Sequence, residues 1–119
     1  MIHKKFKIPL YFGDFHIIQL ENSTDIIPKN YLVEEFLSYG AYATVKIING
    51  YHTCAIVFNK CTHNIIAHEA LHTTNFILKH AGISPDFDND EAQAYLLGWI
   101  IEKIYNTIKI NEKEKNNAK

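Results

Sequence analysis

The stretch AYATVKIINGYHTCAIVFNKCTHNIIAHEALH, Ala41 to His72, decides the fold. Its first half holds two runs rich in β-branched and aromatic residues, AYATVKII and YHTCAIVFN, separated only by Asn49-Gly50. A two-residue hairpin turn demands positive φ at both of its positions, which Asn and Gly tolerate, so this half predicts a β-hairpin. The second half changes character at Thr62, whose side chain can cap a helix running from about His63 to His80, with Gly82 and Pro85 to stop it.

Working outward, residues 5–20 predict two more strands, KFKIPLYF and FHIIQLE, turned at Gly13-Asp14, with Pro9 suited to an edge position. NSTDIIP reads as a loop, and Pro28 suits the first turn of a short helix from Lys29 to Tyr39, closed by Gly40. Downstream, Asp88 or Asn89 can cap a second long helix from Asp90 to about Ile108. The sum is an α+β fold: a small antiparallel (mixed) sheet with a short helix, followed by two long packed helices. A single domain is expected over residues 1–110, with a flexible polar tail, NEKEKNNAK, at 111–119.

Composition removes several function classes. The formal net charge is -1 and every basic side chain apart from histidine is Lys, so neither a cationic face nor an arginine fork is offered to nucleic acid or an anionic membrane. No apolar run has the length of a secretory signal or a membrane span. Cys54 and Cys61 lie seven apart, with no CxxC spacing, and read as reduced thiols of a cytoplasmic protein.

The chemistry concentrates in HEALH, His68 to His72. Residues four apart share a helix face, so His68 and His72 can put two imidazole nitrogens on one Zn2+ ion. Glu69 flanks the first of them, where this motif carries the general base that takes a proton from water. The competing reading is an ordinary amphipathic helix whose two histidines are solvated or satisfied by other groups. A catalytic zinc needs a third protein ligand. The HExxHxxGxxH continuation is excluded, because Asn75 and Leu78 stand where its Gly and His belong. His80 is twelve residues past His68, about 18 Å along the same helix, and cannot reach.

Glu91, nineteen residues after His72 in DNDEAQAYLLGWI, is the expected third ligand, brought back by the turn between the helices. Asp88-x-x-Glu91 also matches a capping box, which would occupy Glu91 at its own helix terminus. Asp88 and Asp90 are reserve ligands. Tyr95 lies one turn beyond Glu91 and is either a hydrogen-bond donor to a ligand carboxylate or oxyanion, or core. Gly98, two turns on, suggests close approach of the second helix to the first. Leu96, Trp99, Ile100 and Ile104 read as core.

HEALH followed by a helix bearing Glu91 resembles the zincin metallopeptidases of the gluzincin type, and AHEALHTTNFILKHAGI…DNDEAQAYLLGWIIEKIY is similar to small phage- and prophage-encoded proteins treated as minimal zincin peptidases. The resemblance covers roughly residues 62–106. It implies zinc held by His68, His72 and Glu91, with Glu69 as the base. It also implies a peptide or protein substrate paired along an edge strand, for which residues 51–59, centred on Cys54, Ala55, Ile56 and Val57, are the candidate. The sequence departs from the family in carrying Tyr95 where an Asp is common and Thr74 at a usually apolar position. The family's separate electrophile would fall to Tyr95, His80 or a tyrosine of the sheet. The expected activity is therefore a zinc-dependent peptidase. The alternatives are a phage structural or assembly protein on a zincin scaffold, with structural zinc or none, and a metal-free interaction module.

Overall fold

In the computed structural model, residues 1–22, 24–27 and 40–110 are described. The short helix predicted for Lys29–Tyr39 and the tail at 111–119 lie outside the described residues. Four strands, β1 (Ile2–Lys7), β2 (Gly13–Gln19), β3 (Ala41–Ile48) and β4 (Tyr51–Phe58), precede two helices, α1 (His63–His80) and α2 (Glu91–Thr107). The strands form one mixed sheet in the order β1-β2-β4-β3, antiparallel at both ends and parallel between β2 and β4.

The Asn-Gly hairpin forms where the sequence places it, with φ of 54° at Asn49 and 78° at Gly50. The first hairpin differs from expectation. β1 ends at Lys7 and the chain turns through residues 8–12, closed by Ile8 N–H donating to the Gly13 carbonyl at 3.0 Å. Proline has no N–H for a ladder, so Pro9 ends the strand. Gly13 and Asp14 are not the turn but the first residues of β2: Asp14 pairs with Lys7 of β1, and Gly13 and Asp14 pair with His52 and Thr53 of β4. Gly13 (φ +148°) is needed there because a Cβ would stand 2.0 Å from Cδ2 of His52.

Alternation along the strands divides the sheet into two faces. Phe15, Ile17, Cys54, Ile56, Phe58 and Ala41 face the helices and pack against Ile66, Ala70, Ile77, Leu78, Leu96, Ile100 and Ile104, all buried. Ile18, Tyr42 and Val57 form a smaller cluster on the opposite face. Both cysteines are buried thiols, Cys61 accepting from Gln19 Nε2 at 3.3 Å, and burial pushes Cys54 up to about 12 and Cys61 up to about 11. No described helix is long and apolar enough to cross a membrane.

α1 starts as the sequence predicts, with Thr62 Oγ1 accepting from Ile65 N–H at 3.2 Å. It ends through N–H donations from Ala81, Gly82 and Ile83 to the last carbonyls, Gly82 at φ +78°. Two cross-helix hydrogen bonds tie α1 to α2, His63 with Tyr105 near one end and Gln93 Nε2 to Asn75 Oδ1 (2.8 Å) near the other. The start of α1 thus meets the end of α2: the helices are antiparallel, and each bond joins residues whose numbers have the same sum. Gly98 is not a contact point. It is exposed, and a Cβ there would meet nothing within 4 Å.

Candidate metal centre

His68, Glu69 and His72 form a group whose potential ligand atoms all lie within 4.8 Å of one another. Helical geometry alone brings the two imidazoles together, and Nε2 of His68 lies 3.1 Å from Nε2 of His72. Two nitrogens held ~2.0–2.1 Å from one tetrahedral ion stand ~3.3–3.4 Å apart, so the pair fits a shared metal with an adjustment of a few tenths of an ångström. The same spacing also suits an N–H···N hydrogen bond between neutral rings. Both histidines are exposed, and the ring of His72 stacks on Phe76 with centroids 6.4 Å apart.

Glu69 differs from its neighbours in being only 3% exposed. α1 packs across β3, and the carboxylate points at the sheet edge, where the backbone N–H of Ala43 donates to it. Burial raises the Glu69 carboxyl above the usual range, while His68 and the Ala43 hydrogen bond pull it back. A carboxylate beside two imidazoles, desolvated and held by a main-chain donor, is suited to accepting a proton.

Glu91 is not brought to this group. The paired contacts His63–Tyr105 and Asn75–Gln93 put Glu91 level with Ile77, and His72 level with Leu96. At 1.5 Å per residue, Glu91 is about 7.5 Å along the axis from His72 and about 13.5 Å from His68. Its nineteen-residue spacing from His72 suggested contact, but the interhelical turn consumes residues 81–90 before α2 begins. The capping box is not formed either: Asp90 is the N-cap residue, so Glu91 is the first helical residue and not the third. Asp88 and Asp90 likewise stand outside the cluster. Tyr95 is 78% exposed and lines a separate cavity of about 270 Å³ with Pro9, Leu10, Tyr11, Leu96 and Trp99. None of these residues belongs to the metal-ligating group.

The expected substrate strand also needs correction. β4 lies between β2 and β3, so its backbone is paired on both sides, and Cys54, Ala55, Ile56 and Val57 are fully buried. They cannot hold a substrate. Among the described residues the strand edge beside α1 belongs to β3. Because the Ala43 N–H points outward, and orientation repeats every second residue, the outward main-chain groups of β3 are those of Ala43, Val45 and Ile47.

Two further histidine pairs escaped the sequence reading, since their members are distant in the chain. Nε2 of His3 and Nδ1 of His16 are 2.9 Å apart across β1 and β2. The rings of His52 and His80 have centroids 4.3 Å apart. His52 is fully buried, and among the described residues neither ring nitrogen has a hydrogen-bond partner. Burial and then the neighbouring His80 lower its pKa, keeping it neutral. No Asp, Glu or Cys completes a three-ligand group at either pair among the described residues.

The chain matches no protein-family model, no curated protein and no solved structure.

Proposed function

We propose that the chain is a zinc-dependent metallohydrolase acting on peptide bonds, with His68 and His72 holding the ion and Glu69 serving as general base. One observation carries this reading: the 3.1 Å approach of the two imidazole Nε2 atoms beside a buried, hydrogen-bonded carboxylate. Bound there, zinc would supply Lewis-acid polarisation of a carbonyl oxygen and lower the pKa of water toward ~7. Glu69 would take the proton at its carboxylate and return it to the departing amine. The elevated proton affinity that burial gives Glu69 favours that double role. The Ala43 N–H fixes the orientation of the carboxylate, and the outward main-chain groups of Val45 and Ile47 suit an extended peptide laid along β3.

His68 and His72 would supply two of the three protein ligands that a catalytic zinc takes, and among the described residues Glu69 is the one further ligating group beside them. The test is Glu69→Gln assayed against a mixed peptide library by mass spectrometry. Zinc content should stay at the wild-type level while cleavage products disappear. Cleavage at the wild-type rate would remove Glu69 from the chemistry.

A second reading, an assembly or interaction protein on the same scaffold, is favoured by the apolar side chains of Leu10, Phe12, Phe87 and Tyr95, which are 78–103% exposed. Under it, Phe12→Ser would abolish association in sedimentation experiments without changing zinc content.

A further inference from the structure

The groove between β3 and the last turns of α1 is lined by Val45, Ile47, Phe76, Lys79 and His80 and encloses about 450 Å³. It adjoins the metal-ligating group through Phe76, which lines the groove and stacks on His72. Its walls combine three apolar side chains with one fixed cation and one imidazole, and they include no acidic residue. Lys79 makes no ion pair among the described residues. Its ammonium is not consumed in capping α1, since Ala81, Gly82 and Ile83 satisfy the last carbonyls through their own N–H groups.

The two edges of the sheet are not equivalent. β1 carries Lys4, Lys5 and Lys7, a pattern that discourages strand addition. β3 carries one lysine, Lys46, which is one residue from both Val45 and Ile47 and so lies on the opposite face from them. The main-chain groups of Val45 and Ile47 therefore border a groove whose floor is apolar and whose far end is cationic.

We infer that this groove is a specificity subsite for an extended peptide segment carrying an acidic side chain about three residues from the bond presented to His68 and His72. The inference rests on the hydrolase reading for its link to cleavage. The spacing follows from the helix: Lys79 is seven residues beyond His72, about 10.5 Å, which an extended chain covers in about three residues. Val45, Ile47 and Phe76 receive the intervening apolar side chain, and the carboxylate reaches Lys79. The occupant is a peptide, because main-chain pairing, an apolar slot and a cation at strand spacing together match a β-strand and no smaller anion needs all three.

The test is a binding measurement on the full-length chain in EDTA, so that no peptide is cut. The probes are two fluorescein-labelled octapeptides of alternating valine and threonine, one with a central glutamate and the other with lysine in its place. Wild type should bind the glutamate peptide about fivefold more tightly, the range of an exposed ion pair, and Lys79→Glu should abolish or reverse that preference. Val45→Pro, which removes an outward N–H that the sheet does not use, should weaken both peptides with little change in Tm. Equal affinities, no binding of either peptide, or a preference untouched by Lys79→Glu would overturn the subsite. Zinc content, measured on the same proteins, separates the two readings. Zinc without a glutamate preference overturns the subsite alone, whereas a glutamate preference without zinc overturns the hydrolase and leaves an acidic-peptide groove.

Discussion

Gly13→Ala is expected to be one of the most damaging single-methyl changes available to this protein. The added Cβ would stand 2.0 Å from Cδ2 and 2.3 Å from Nε2 of His52, and 2.6 Å from the His52 carbonyl oxygen. The imidazole has nowhere to go, since His52 is fully buried and lies against His80. The carbonyl belongs to β4, one of the two interior strands, and moving it disturbs the sheet between β2 and β3. Overpacking of this kind costs about 1–3 kcal/mol. Holding alanine at φ +148° costs about a further 1–3 kcal/mol. A loss of about 2–6 kcal/mol is large against the roughly 5–15 kcal/mol that holds a domain folded. The assay is urea unfolding of wild type, Gly13→Ala, His52→Ala and the double variant. His52→Ala removes the two ring contacts but not the carbonyl contact or the φ strain. In that background Gly13→Ala should therefore cost only about half as much, a coupling of at least about 1 kcal/mol. A single-variant loss below about 1 kcal/mol, or simple additivity of the pair, would refute the close packing of Gly13 on His52.

Three further outcomes are expected. His52 has a pKa lowered by burial, so the folded state binds fewer protons than the unfolded chain once pH falls below the ordinary histidine value of 6.5. Its contribution is present above that pH and lost progressively below it, and urea unfolding from pH 7.5 to pH 5 should show His52→Leu losing less stability than wild type; parallel curves would contradict this. Glu91→Ala should retain zinc at the wild-type level by elemental analysis, because α2 holds Glu91 level with Ile77 and not with the imidazoles; loss of zinc would mean that the helices slide to bring it in. Thr62→Ala removes the side-chain acceptor for Ile65 N–H and should cost about 1 kcal/mol in urea unfolding, whereas an unchanged midpoint would mean that the cap is dispensable.

Local chemistry was legible in the sequence. Asn49-Gly50, Thr62 and Gly82 each answer a backbone requirement set by their immediate neighbours, and the structure uses all three where expected. HEALH is equally local, since four-residue spacing on one helix is enough to bring two imidazoles together. What escaped depends on distant partners. Gly13 looked like a turn residue, but its role is set by His52, a neighbour only through the parallel pairing of β2 with β4. The same crossover places β4 inside the sheet, which no pattern within residues 51–59 reveals. Glu91 and Gly98 were judged by spacing along the chain, whereas reach between helices depends on their level, fixed here by Asn75–Gln93 and His63–Tyr105.

The central claim is that His68 and His72 hold one zinc ion. It is tested most directly by zinc per chain, measured by elemental analysis after metal stripping, zinc addition and desalting. Wild type, His68→Ala, His72→Ala and His3→Ala should be compared, the last because His3 and His16 also approach each other at 2.9 Å. The expected result is one zinc in wild type and in His3→Ala, and none in His68→Ala or His72→Ala. Zinc-free wild type, or zinc lost from His3→Ala and kept in the other two, would contradict the claim and leave HEALH as a surface helix bearing two hydrogen-bonded histidines.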